Sequence, residues 1–276
     1  MKLQEEITAM QTILKAVLGT AIVLGAGGYG LAYAGPVPGG YTCLGGCGTD
    51  AVPDGNVPIP PSGDTTVLYV TTTGGLPAPN GQIAGGYPVG NTNGSLLTSP
   101  TFTAAAGAPL TFYFDYTTSD GSGFPDYAWS QLYTSGGTLV ATLFTAATQP
   151  SGNISPGQGL PANQATLTPP TSAIIPGQTT WSALGSWSGA CYLGVGQGCG
   201  TTGWIQSTYD IANAGSYYVE FGATNANDTL YDSGLAIDGL AVSGTPITGT
   251  PEPASMALLG AALIGFGVIR RRQRTA

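Results

Sequence analysis

Histidine is absent from all 276 residues, and between residues 35 and 250 there is neither lysine nor arginine. The six basic residues, Lys2, Lys15, Arg270, Arg271, Arg272 and Arg274, all lie outside that window. The window retains eleven acids, ten aspartates and Glu220, with no side-chain cation to pair them. These absences exclude much. Binding nucleic acid requires Lys or Arg against phosphate, so nucleic acid is not a partner. Without imidazole there is no Ser-His-Asp or Cys-His site, and without lysine no Schiff base or Walker loop. Zinc enzymes lean on histidine ligands and are disfavoured too. The remaining catalytic repertoire is aspartate, Glu220, tyrosine and a bound metal. A helical period with helix-forming residues is also missing from this window.

Short strand patterns fill it instead. "TTVLYVTTT" (65–73), "LTFYFDYTT" (110–118), "DYAWSQLYT" (126–134) and "TLVATLFTA" (138–146) are rich in β-branched and aromatic residues. "WIQSTYDI" (204–211), "SYYVEFGAT" (216–224) and "GLAIDGLAVSG" (234–244) repeat the pattern after a long interruption. Leu110, Phe112, Phe114 and Tyr116 fall on one face of their strand, with Thr111, Tyr113, Asp115 and Thr117 on the other. Tyr217, Val219 and Phe221 form a similar apolar row. One buried and one wet face per strand predicts an all-β fold, a single antiparallel β-sandwich of jelly-roll type over residues 63–246.

Residues 35–62, rich in Gly and Pro, read as an extended arm preceding that sandwich. From Gln149 to Ala190 six prolines and little periodicity predict a long surface excursion. The four cysteines, Cys43, Cys47, Cys191 and Cys199, belong to an exported chain, where pairing is the default. Two local bridges are favoured, because each pair brackets a Gly-rich turn. Two long-range bridges remain open, and a Cys-only metal site is the third reading.

Both ends read as targeting segments. Residues 1–34 carry Lys15, an apolar run and the small-x-small close Ala32-Tyr33-Ala34, which together predict a signal peptide. Met10 begins the cleaner version of it, since Glu5 and Glu6 precede it. At the other end, residues 247–276 contain Pro251-Glu252-Pro253, an uncharged run from Ala254 to Ile269, and then Arg270, Arg271, Arg272 and Arg274. As a helix the run of 16 residues spans ~24 Å, a short transmembrane segment held with its arginines in the cytoplasm. Those three parts in order resemble the PEP-CTERM sorting signal of Gram-negative bacteria. The resemblance implies recognition by exosortase, a membrane protease that cuts near the Pro-Glu-Pro. It also implies a stay at the inner membrane and then release or attachment at the cell surface or in an exopolysaccharide matrix, as in biofilms.

Within the window, "DYTTSDGSGFPDYAW" and "NDTLYDSGLAID" hold six of the eleven acids. Their surroundings resemble the lectin-like sandwich domains that accompany PEP-CTERM tails. Solvated aspartate turns are one reading of these runs. The other is calcium, which takes about six to eight oxygens, held across strands by Asp120, Asp126, Asp228 and Asp232. Neither run has the spacing of an EF-hand. An acid–base pair for glycoside hydrolysis is disfavoured, because no general acid stands out. Among the aromatics, Trp129 reads as core, while Trp181 and Trp187 in "WSALGSWSG" read as exposed platforms for sugars. The expected protein is non-enzymatic and secreted, with an extracellular polysaccharide as its ligand. The alternatives are a calcium-dependent glycan-active enzyme and a purely structural matrix or coat component.

Overall fold

The computed structural model describes residues 35–87, 90–149, 153–157 and 159–248. The expected signal peptide, transmembrane segment and sorting tail lie outside the described residues. Among the described residues no helix is long and apolar enough to cross a membrane.

The described chain is all-β, as the strand patterns predict. Nine principal strands are β1 (Gly46–Ala51), β2 (Thr66–Thr71), β3 (Asn91–Thr98), β4 (Ala108–Thr118), β5 (Tyr127–Thr134), β6 (Leu139–Ala147), β7 (Ile205–Ile211), β8 (Gly215–Ala226) and β9 (Ser233–Val242). One antiparallel sheet runs β7-β4-β9-β2-β1 and the other β3-β8-β5-β6. The two face each other across a shared core. Phe114 of β4 stacks on Phe144 of β6 with centroids 3.9 Å apart. Phe112 meets Phe221 of β8 edge-on at 5.2 Å. Each such ring taken from water contributes roughly 1.5–3 kcal/mol, so this row is what joins the sheets.

Seven of these strands coincide with the seven sequence patterns. Two do not, β1 and β3. The Asn- and Gly-rich β3 lacks the alternation of those patterns, yet it pairs with β8, with one register shift between Thr224 and Ala226. Its Gly94 explains the composition: a Cβ there would lie 2.6 Å from the Asn80 carbonyl and 2.7 Å from that of Ala223. The arm likewise supplies strands. Thr42–Leu44 pairs with β3 in one sheet, while β1 pairs with β2 in the other. The Cys43–Cys47 disulfide therefore ties the two sheets together at a corner. Cys191–Cys199 closes a loop, so both bridges are the local ones.

The expectation of one wet face per strand fails in part. Asp115 and Thr117, on the outer face of β4, are fully buried. The long excursion folds back over that sheet: Ile175–Pro176 pairs with Gly200–Thr201, which in turn pairs with β4. Farther along, Trp181 and Leu184 pack with Val52, Val57, Val67 and Ala236 as a second core. On the other sheet's outer face Trp129 packs with Ile83, Tyr127 and Leu160 in a third.

Candidate functional site: an aromatic and acidic loop end

Three loops meet beyond the end of β4 and the start of β9: residues 119–126, the stapled loop at 191–199, and the turn at 227–232. Backbone contacts bind them. Tyr192 N–H donates to Ser119 O at 2.9 Å, and Ser122 N–H to Gln197 O at 2.6 Å. Asn227 Nδ2 donates to Gly123 O at 3.0 Å. Tyr231 sits at φ 54°, a left-handed backbone that a bulky side chain rarely adopts. That conformation places its ring between two others. Trp187 lies 4.4 Å from it, tilted by 30°, and Tyr192 lies 5.1 Å away at 62°. Phe124 extends the row, edge-on to Tyr192 at 5.2 Å. All four side chains are half-buried, so each keeps part of its surface accessible to solvent.

Trp187 is half-buried within this row, and Trp181 is not part of it. The expectation that Trp181 is exposed is overturned: it is 0% exposed, and its Nε1 donates to Asp50 Oδ2 at 2.8 Å. Five residues separate the two tryptophans, and the turn between them carries one into the second core and leaves the other at the loop end. Tyr192, Tyr231 and Phe124 lie in three separate stretches of the sequence, and no spacing links them. The only local signal for Phe124 is its place between two glycines and a proline, in "GSGFP".

The acids divide differently from either sequence reading. Asp120 and Asp126 are buried, at 1% and 0% exposure, not solvated in turns. Asp126 accepts from Ala226 N–H through Oδ1 at 2.8 Å and from the Ser233 hydroxyl through Oδ2 at 2.7 Å. Asp232 turns away to the Thr72 and Thr73 hydroxyls, at 2.7 and 2.8 Å. Asp228 accepts from Leu230 N–H at 2.9 Å in its own turn. A convergence of all four carboxylates on one ion is therefore not what the fold builds. Among the described residues no group of three or more His, Cys, Asp or Glu is arranged to hold a metal.

Hydroxyls and amides do the work that cations would do elsewhere. Buried Asp115 takes the Thr201 and Thr202 hydroxyls. Burial still dominates. It pushes the Asp115 carboxyl up to about 7, against the lowering effect of those two hydroxyls. Asp120 is also raised to about 7, by burial first, with the Gly121 N–H opposing and the charge of Asp228 adding. Burial lifts Asp126 well above the usual range, and Asp120 beside it adds to the rise. In the second core burial pushes Asp50 up to about 6, where the Trp181 bond lowers it and neighbouring Asp54 raises it. One oxygen at the loop end is left over: Asp120 Oδ2 is buried without a partner.

Residues 250–272 match the PEP-CTERM protein-sorting motif, and the chain carries that signal. The motif is one that exosortases recognise, which makes this an exported protein sorted to the cell surface or the extracellular space. No curated protein sequence matches the chain. Among solved structures it is similar to the enzymatically active domain of tailspike protein 4 of bacteriophage CBA120, at 11% identity and a TM-score of 0.32. That likeness covers 74% of this chain and 19% of the tailspike chain, so the chain spans under a fifth of that protein's length. It is also similar to a cleaved adhesin domain of Lys-gingipain from Porphyromonas gingivalis, at 11% identity and a TM-score of 0.34, covering 76% of this chain and 97% of that one. A further cleaved adhesin domain of the same protein gives 12% identity and a TM-score of 0.31, with 75% and 92% covered. Likenesses this distant transfer no activity.

Proposed function

We propose that the protein is a non-enzymatic, exosortase-sorted β-sandwich that binds a polysaccharide at the cell surface or in the extracellular matrix, through the row Trp187, Tyr231, Tyr192 and Phe124. The observation that carries this reading is the row itself. Four half-buried rings follow one another at 4.4 to 5.2 Å, and a strained Tyr231 backbone holds the middle of the row in place. Flat apolar faces with carboxylates close by suit a sugar ring, which offers both C–H faces and hydroxyl donors. The strand orders β2-β9-β4-β7 and β3-β8-β5-β6 favour a jelly roll, two Greek keys wound across two sheets. Loops at one end of such a fold are natural places for a ligand. A binding rather than catalytic role is favoured by the lack of histidine and lysine throughout the window. Release or retention after processing belongs to the sorting step.

A second reading adds calcium at Asp120 and Asp228, favoured by the partnerless Asp120 Oδ2. Affinity electrophoresis in gels containing neutral polysaccharides, run with calcium and then with chelator, tests both. The expected result is retardation, weakened about tenfold by Trp187→Ala or Tyr231→Ala, the ~1.4 kcal/mol of one interface anchor. Retardation that both variants retain removes the aromatic row. Release of new reducing ends would turn the reading toward an enzyme, and no retardation on any polymer would leave a structural matrix component. Equal retardation with chelator removes the calcium.

A further inference from the structure

A different carboxylate pair lies toward the opposite end of β9. The pairing of β9 with β4 slips between Asp238 and Ala241, and Gly239 within the slip has φ 63°. This is a β-bulge, which redirects the side chains beside it. Asp238 there is only 6% exposed, and its Oδ2 has no partner. It lines a cavity of about 210 Å³ together with Asp64, Tyr41, Leu68, Leu240 and Pro246. Buried Asp126 and Asp232 gather hydroxyls or amides at both oxygens, and Asp50, Asp115 and Asp120 gather at least one donor each. Here a second carboxylate stands beside the first. Burial raises the Asp238 carboxyl, the Ser62 hydroxyl opposes this, and the charge of Asp64 adds to the rise. Two acids facing an open space, with no Lys, Arg or His between residues 35 and 250, lack a cation.

The walls say which kind. Calcium asks for about six to eight oxygens. Beyond the two carboxylates the side chains lining the cavity offer the Thr66 hydroxyl and that of Tyr41, which already donates to Ile247 O at 3.2 Å. Leu68, Leu240 and Pro246 offer carbon. An ammonium brings three N–H donors on a hydrocarbon body, so carboxylates at one side and apolar walls at the other both find a match. We infer that this cavity binds the ammonium group of a small organic amine, with Asp238 and Asp64 as its counter-ions. The volume lies below the ~300–1,000 Å³ of drug-sized sites and suits a single ring or a short chain.

The inference is independent of the aromatic row, and titration calorimetry on the processed protein tests it. The probes are n-butylamine, glucosamine, glucose and calcium chloride. Saturable binding of either amine, absent with glucose and weakened about tenfold in Asp238→Asn and in Asp64→Asn, is the expected result. Binding of glucosamine alone assigns an amino sugar, and binding of butylamine alone an alkyl amine. Asp64 is exposed, so Asp64→Asn keeps the test open even if Asp238→Asn disturbs folding. Saturable binding of neither amine, equal binding by wild type and both variants, or calcium bound in preference to the amines would overturn it.

Discussion

The two ends of β9 pose one electrostatic problem and solve it differently. At its start, Asp126 and Asp232 are buried against Ser233, Thr72, Thr73 and the amide of Ala226, each within 2.8 Å. Toward its end, Asp238 keeps an oxygen with no donor and faces a cavity and a second acid. A domain without cations can bury a carboxylate when hydroxyls and amides surround it, because each donor offsets part of the desolvation. A buried carboxylate denied those donors points outward for its partner. Asp126 and Asp232 are satisfied at both oxygens, whereas Asp238 has a partnerless oxygen and a second acid beside it.

The sharpest way to break that contrast is mutation at both ends. Asp126→Ala strands the Ala226 amide and the Ser233 hydroxyl, and is expected to cost about 2–5 kcal/mol in denaturant unfolding. A loss below ~1 kcal/mol would mean that those bonds do not hold the loop end. The pH profile comes next. Asp115 and Asp120 titrate near 7 in the fold and Asp50 near 6, all raised by burial above their unfolded value. Such groups keep their protons longer when folded. The stability they contribute is complete below an unfolded pKa of ~3.9 and is lost as pH climbs through about 6 to 7. Melting temperature should fall by about 3–5 °C per pH unit for each such proton across that window. A flat or rising profile would show that these acids are ionised in the fold. The smallest effect belongs to Asp238→Asn, which removes like charge and keeps an oxygen to accept from the Ser62 hydroxyl. Its unfolding free energy should stay within ~1 kcal/mol of wild type, and a loss as large as that of Asp126→Ala would erase the distinction between the two ends.

The strands were readable because alternation is local. The β4 row from Leu110 to Tyr116 and the β8 row from Tyr217 to Phe221 bury the residues that the pattern predicts. The local disulfides were readable for the same reason. β3 was not, since its Asn and Gly content answers to a neighbouring loop and to β8, which the sequence does not place beside it. The partners of the acids are equally remote. Ser233 lies 107 residues from Asp126, and Thr72 lies 160 from Asp232. No window reveals that threonines will serve where lysines are missing. Trp181 and Trp187 show the limit most plainly: "WSALGSW" looks uniform, and only the fold-back of the excursion over β2 and β9 separates a core residue from a half-buried one.

The backbone's last described ladder bond runs from the Ile247 amide to the Leu240 carbonyl, and the Tyr41 hydroxyl grips the same residue. Residue 250, where the sorting motif opens, follows only three positions later. Three residues reach about 10 Å at full stretch. The sorting motif therefore opens within about 10 Å of chain from the last described bond of the β fold, so whatever recognises it meets the folded domain almost at once.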